Sequence, residues 1–115
     1  MLQIHLEQKP LSVNEAWLGT RRKSAKYRAF EKSVLLQMPA KKINPELLLR
    51  VELFFGFSSS LSDIDNPVKM ILDICQRKYS FNDRNIFELN IRKCKVEKGK
   101  EFIDIGIYNL LPFTE

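Results

Sequence analysis

The chain of 115 residues carries 19 Lys and Arg against 14 Asp and Glu, a net charge of +5, with 44% hydrophobic and 29% charged residues. That balance is too apolar for a disordered chain, and the length suits a single domain over 1–115. The longest apolar stretch, within 47–57, is broken by Arg50 and Glu52 and falls short of the ~18 residues of a membrane span. Met1-Leu2-Gln3-Ile4-His5 shows no charged leader ahead of an apolar block, so the expectation is a soluble, cytoplasmic protein with no membrane partner.

Leu2, Ile4 and Leu6 alternate with Gln3, His5 and Glu7, the period of a half-buried strand. Pro10-Leu11-Ser12-Val13-Asn14 reads as a turn and 17–23, with Gly19 and three consecutive basic residues, as a loop. Ser24 is a plausible N-cap for a helix running to about Met38, with Tyr27, Phe30, Val34 and Met38 at helical spacing. Residues 47–57 predict a central strand, bounded by Pro45 and by Gly56 with the serines beyond. Asp65 or Asn66 then caps a helix that opens on Pro67, with Val68, Ile71, Leu72 and Cys75 as its buried stripe and an end near Lys78. After a loop over 81–84, strands over 86–96 and 102–110 flank Glu97-Lys98-Gly99-Lys100, which predicts a hairpin. The predicted order is β-α-β-α-β-β, an α+β fold with a mixed sheet and two main helices.

Two cysteines, Cys75 and Cys94, are too few for a disulfide scaffold or a zinc site, and both read as buried thiols. Cys–His catalysis would need the lone His5 beside one of them, and His5 lies in a strand pattern. The charge is uneven. Residues 1–50 hold ten Lys and Arg against four Asp and Glu, whereas 51–115 hold nine against ten. A basic surface suits a polyanion, because each neutralised phosphate releases counterions. The expected phosphate contacts are Arg21, Arg22, Lys23, Lys26, Lys93 and Lys95; a solvated helix face is the plainer explanation of the same run.

The acidic half is organised around 63–83. Asp63 and Asp65 are two residues apart ahead of a helix, and Asp65, Lys69 and Asp73 follow at intervals of four, on one helix face. Asp83 precedes the next strand. Clustered carboxylates repel one another, and a hard divalent cation relieves that repulsion while leaving positions for water and phosphate oxygens. The plainer account is that the aspartates cap turns and that Lys69 pairs with Asp73. A basic half beside an acidic centre favours a nuclease, in which cations hold the strand and acids hold the metal.

The run Asp63-Ile64-Asp65-Asn66-Pro67-Val68-Lys69, followed by an apolar helix bearing Asp73, resembles the RusA family of Holliday-junction resolvases. Further matches are Asn82-Asp83, Pro10-Leu11-Ser12-Val13-Asn14 and Lys26-Tyr27-Arg28, in the same order over nearly the whole length. The chain departs from the family in having Asn82 where a second acid precedes Asp83, a slightly shorter loop there, and serines rather than basic residues ahead of Asp63. The resemblance implies a homodimeric, Mg²⁺-dependent endonuclease (with Mn²⁺ as a substitute) that nicks four-way DNA junctions in pairs, in a bacterium or its phage. It assigns Asp63, Asp65 and Asp83 to the metal, Lys69 to catalysis, and no organic cofactor. A nuclease of flaps or forks, a non-catalytic basic DNA-binding module and a domain binding acidic proteins are the competing expectations.

Overall fold

The most continuous apolar run in the chain takes the position that buries it best, between two neighbours. In the computed structural model, which describes residues 2–19 and 22–110, this run is strand β4. The order is β1 (Leu2–Leu6), α1 (Val13–Ala16), β2 (Trp17–Leu18), β3 (Arg22–Lys23), α2 (Ala25–Gln37), β4 (Leu49–Phe57), α3 (Val68–Tyr79), a 3-10 turn (Asp83–Asn85), β5 (Ile86–Lys95) and β6 (Phe102–Asn109). The main sheet has the strand order β1-β6-β4-β5, with β4 parallel to β5 and antiparallel to β6. An α+β domain with a mixed sheet and two main helices is therefore observed, as the sequence predicts. Among the described residues no helix is long and apolar enough to cross a membrane.

Side chains of alternate residues point to opposite faces, and one face of the sheet is dry. Leu2, Ile4 and Leu6 of β1, Val51, Leu53 and Phe55 of β4, and Ile103, Ile105 and Ile107 of β6 are buried together with Tyr27, Phe30 and Val34 of α2 and Met70, Ile71, Ile74 and Cys75 of α3. Each such aliphatic side chain contributes on the order of 1.5–3 kcal/mol. Ser24 caps α2 as expected, its side chain accepting from the Tyr27 N–H at 3.1 Å.

Four expectations are corrected. First, β5 and β6 do not form a hairpin: they lie on either side of β4, and 96–101 crosses its end. Ile103, Ile105 and Ile107 need cover on both sides, so β6 moves inward, while the charged β5 takes the edge. Second, 17–23 is not all loop, because the two-residue strands β2 and β3 pair there, with Gly19 at φ +72° between them. Third, Val13–Ala16 makes one helical turn inside the expected turn, and Asp83–Asn85 another, its N-terminus capped by the Asn82 side chain. Fourth, α3 is capped at Pro67 with no side-chain capping bond, and its most deeply buried residues are Met70, Ile71, Ile74, Cys75 and Tyr79, with Val68 and Leu72 only flanking them.

Among the described residues no helix covers the sheet's other face. Its concavity of about 570 Å³ is lined by Gln3, His5, Phe54, Arg92, Asp104 and Tyr108, among others. His5 Nδ1 meets Asp104 there, Phe102 stacks on His5, and Arg92 lies 4.6 Å from the centre of the Phe54 ring.

Candidate functional site

The parallel pairing of β4 with β5 decides where the acidic residues lie. A chain that leaves the C-terminal end of β4 and re-enters at the N-terminal end of β5 must run back along the sheet, and α3 makes that return. The segment 58–67 therefore sits at one end of the sheet and 80–85 at the other. Contacts fix both ends. At the first, the Lys93 ammonium donates to the Ser62 carbonyl at 2.6 Å and the Val96 N–H to the Phe57 carbonyl at 2.8 Å. At the second, the Asn85 amide donates to the Pro45 carbonyl at 2.7 Å and the Asp83 N–H to Gln76 Oε1 at 3.0 Å.

Asp63 and Asp65 occupy the first end, on consecutive turns closed by Asn66 N–H to the Asp63 carbonyl (3.4 Å) and Val68 N–H to the Asp65 carbonyl (3.2 Å). Both side chains are exposed, and among the described residues neither carboxylate has a hydrogen bond or ion pair. Asp63 lines a groove of about 250 Å³ with Asn66 and Pro67 on one wall and Pro10, Leu11 and Ser12 on the other. Two of the stretches behind the family resemblance, some fifty residues apart in sequence, thus contribute residues to one cleft.

Asp83 is not with them. The twelve residues of α3 rise about 18 Å between the two ends. Among the described residues no group of three His, Cys, Asp or Glu side chains is placed to hold a metal ion. Lys69 lies one turn into α3, exposed, and pairs with Asp73 at 3.3 Å, the pairing the sequence suggests.

The basic residues divide by what already holds them. Lys23 is half-buried, 3.0 Å from Glu31 and above the Tyr27 ring, and Glu31 also receives Arg77 at 2.6 Å. Burial alone would raise the Glu31 pKa, but hydrogen bonds from Lys23 and Arg77 outweigh it and hold the carboxyl below its ordinary value. Lys26 is exposed, 3.7 Å from Glu15, and Lys93 is bound to the Ser62 carbonyl. Arg22 and Lys95 are exposed, with no ion pair among the described residues. Arg21 lies outside the described residues.

The sequence reading overlooked three residues of the groove, Lys9, Glu15 and Glu101. Lys9 abuts the Pro10 stretch, which was its only signal. Glu101 reaches the cleft because 96–101 crosses the end of β4. Its own N–H, the Ser58 hydroxyl and the Gly99 N–H hold its carboxyl below the ordinary range, with Lys9 adding to the effect. Neither cysteine joins the site. Burial pushes the Cys75 thiol up to about 12, where it is no nucleophile, and Cys94, expected to be buried, is half-exposed on β5.

No protein-family model matches the chain, and no curated protein matches it. The donor chemistry of the site gives a divided answer for Mg²⁺. Asp63 and Asp65 offer carboxylate oxygens that are unpartnered among the described residues, and Mg²⁺ is commonly held by one or two carboxylates with water and phosphate in its other positions. Among the described residues no three-carboxylate cage forms within one chain.

Proposed function

We propose that this chain is a RusA-like, Mg²⁺-dependent endonuclease that acts on branched DNA as a homodimer, cutting opposed strands of four-way junctions in pairs. The observation that carries the reading is the shared groove: Pro10-Leu11-Ser12 and Asp63, Asn66 and Pro67 line one cleft, with Asp65 two residues beyond Asp63, both carboxylates unpartnered among the described residues, and Lys9, Lys26 and Lys93 nearby. When bound, Mg²⁺ supplies an activated water and neutralises charge on the phosphodiester. The chain contributes Asp63 and Asp65 to hold it and Lys69 to offset negative charge beside it. Arg22, Lys26 and Lys95 contribute charge for the flanking phosphates.

The third carboxylate sets a condition. Asp83 cannot reach Asp63 and Asp65 of its own chain, so on this reading it comes from a second copy. The edge of β5 suits such a pairing. It is ten residues long and, among the described residues, unpaired on one side, with Phe87 64% and Leu89 39% exposed. A two-fold axis across it sets Glu88 near the basic end of the partner's strand, with Arg92, Lys93 and Lys95. The same axis brings the partner's Asp83 towards the end that carries Asp63 and Asp65.

The test is nicking of a synthetic four-way junction with Mg²⁺ by wild type and Asp65→Asn. The expected loss is at least ~100-fold, with junction binding retained; equal cleavage by both proteins refutes the assignment. A second reading, a DNA-binding module without catalysis, is favoured by the Lys69–Asp73 pair and by the distance of Asp83 from the other two acids. Calorimetry separates the two, since that module binds neither Mg²⁺ nor Mn²⁺ at millimolar concentration.

A further inference from the structure

Residues 58–62 form a short, serine-rich span held at few points, one of them the Ser58 hydroxyl on the Glu101 carboxyl. Leu61 is 90% exposed, and the internal bonds are Ser62 N–H to the Ser59 carbonyl at 3.4 Å and Leu61 N–H to the Ser59 hydroxyl at 3.2 Å. Strand β5 brackets the span from outside. At its entry the Val96 N–H meets the Phe57 carbonyl, and at its exit the Lys93 ammonium meets the Ser62 carbonyl at 2.6 Å, one residue before Asp63. The entry bond is main chain and independent of sequence. The exit bond depends on one side chain, and it is a short, charge-assisted one.

We infer that Lys93 is a positioning residue: it fixes the exit of the 58–62 span and so sets the direction in which Asp63 faces the groove. Its role at the site, which rests on the nuclease reading, is therefore to order the acidic loop rather than to neutralise a phosphate. The register explains why this lysine and not its neighbours. Lys93 pairs with Phe55 on β4, two residues from the strand's end, on the face that carries α3. Arg92 points to the open face, where it stacks on Phe54. Lys95, opposite Phe57, has no partner among the described residues.

The experiment compares wild type, Lys93→Met, which keeps the stem and loses the charge and donors, and Lys93→Arg, which keeps both. Hydrogen exchange of the 58–64 amides is the first readout. It needs no activity, and the thermal midpoint checks that the fold persists. The loop amides are expected to exchange about five- to tenfold faster in Lys93→Met, with β4 and α3 unchanged and Lys93→Arg close to wild type. Exchange identical in wild type and Lys93→Met overturns the inference. Junction binding as a function of salt is the second readout. A phosphate contact predicts weaker binding and a salt slope shallower by about one in Lys93→Met, and that result also overturns it. A positioning role leaves binding and slope as they are and lowers turnover. If wild type cleaves no branched DNA, the nuclease reading fails, while the exchange comparison still decides the role of Lys93.

Discussion

The sharpest consequence of the structure concerns chains mixed after each has been inactivated. Oxygens on one Mg²⁺ lie within about 4 Å of each other, whereas α3 alone separates Asp65 from Asp83 by about 18 Å. If each site takes Asp63 and Asp65 from one chain and the partner's Asp83, then Asp65→Asn and Asp83→Asn damage different halves of it. Neither homodimer keeps an intact site. A heterodimer concentrates both lesions in one site and leaves the other whole. Refolding the two variants together at equal concentration makes about half of the dimers mixed, so about a quarter of wild-type sites return. Because a mixed dimer holds one working centre, its product is a junction nicked once rather than resolved, and a denaturing gel with each strand labelled distinguishes the two. Sites built within one chain give no recovery, since each chain of the mixed dimer carries its own lesion. A mixture no more active than either variant alone refutes the shared-site argument.

Other perturbations test separate parts of the account. Lys69→Ala removes an exposed pair with Asp73 worth at most about 0.5 kcal/mol, so the urea midpoint should barely move while junction cleavage falls ~100-fold or more; cleavage retained alongside that small stability change supports the plainer role. Glu31→Gln removes the acceptor shared by Lys23 and Arg77 and should cost about 2–3 kcal/mol in urea unfolding at pH 7. The Glu31 carboxyl is held below its ordinary 4.5 in the folded state, so its contribution is present above that value and lost as pH falls through the folded pKa; the difference between wild type and variant should shrink on acidification, and a gap that widens would contradict this sign. Ser80 ends α3 at φ +56°, so Ser80→Gly should stabilise by about 0.5–1 kcal/mol. At Gly56 the Phe102 ring occupies the space of a Cβ, so Gly56→Ala should cost about 1–3 kcal/mol by thermal melting.

The sequence displayed the elements better than their partners. Ser24 with Tyr27, Phe30 and Val34 announces α2 because cap and spacing are local properties, and the apolar run of β4 announces a central strand for the same reason. Which strand lies beside which is not local. Glu97-Lys98-Gly99-Lys100 reverses the chain, with Gly99 at φ +93°, but a reversal does not decide whether the strands it joins touch. The deciding signal was present in composition. Strand β5 carries charge on both faces, at Glu88 and Arg92 on one and Lys93 and Lys95 on the other, whereas β6 carries isoleucine at 103, 105 and 107. A strand charged on both faces belongs at an edge, and a strand with a fully buried face gains most between two neighbours. The candidate site followed the same division: the aspartates at 63 and 65 lie two apart in sequence and stayed together, while the place of Asp83 depended on pairing.

That edge position gives β5 two roles that pull against each other in most folds. Its inner side grips β4 and, through Lys93 and Val96, steadies the loop that presents Asp63. Its outer side remains open, with Phe87 displaced into a bulge where Leu49 pairs with Ile86 and Arg50 with Glu88. A bulge re-aims a side chain and interrupts a ladder, which hinders unregulated strand addition at that end. The uninterrupted part of the edge runs from Glu88 to Lys95, where acidic and basic ends are distinct. A second copy pairing antiparallel there meets opposite charge at both ends, and a parallel copy meets like charge. On the proposed reading, the antiparallel orientation is also the one that would carry the partner's Asp83 towards the groove. Glu88→Lys, which also removes the pair with Arg50 at 3.8 Å and so lowers the monomer's thermal midpoint slightly, should weaken self-association in sedimentation, and an unchanged association constant would leave the shared site without its proposed interface.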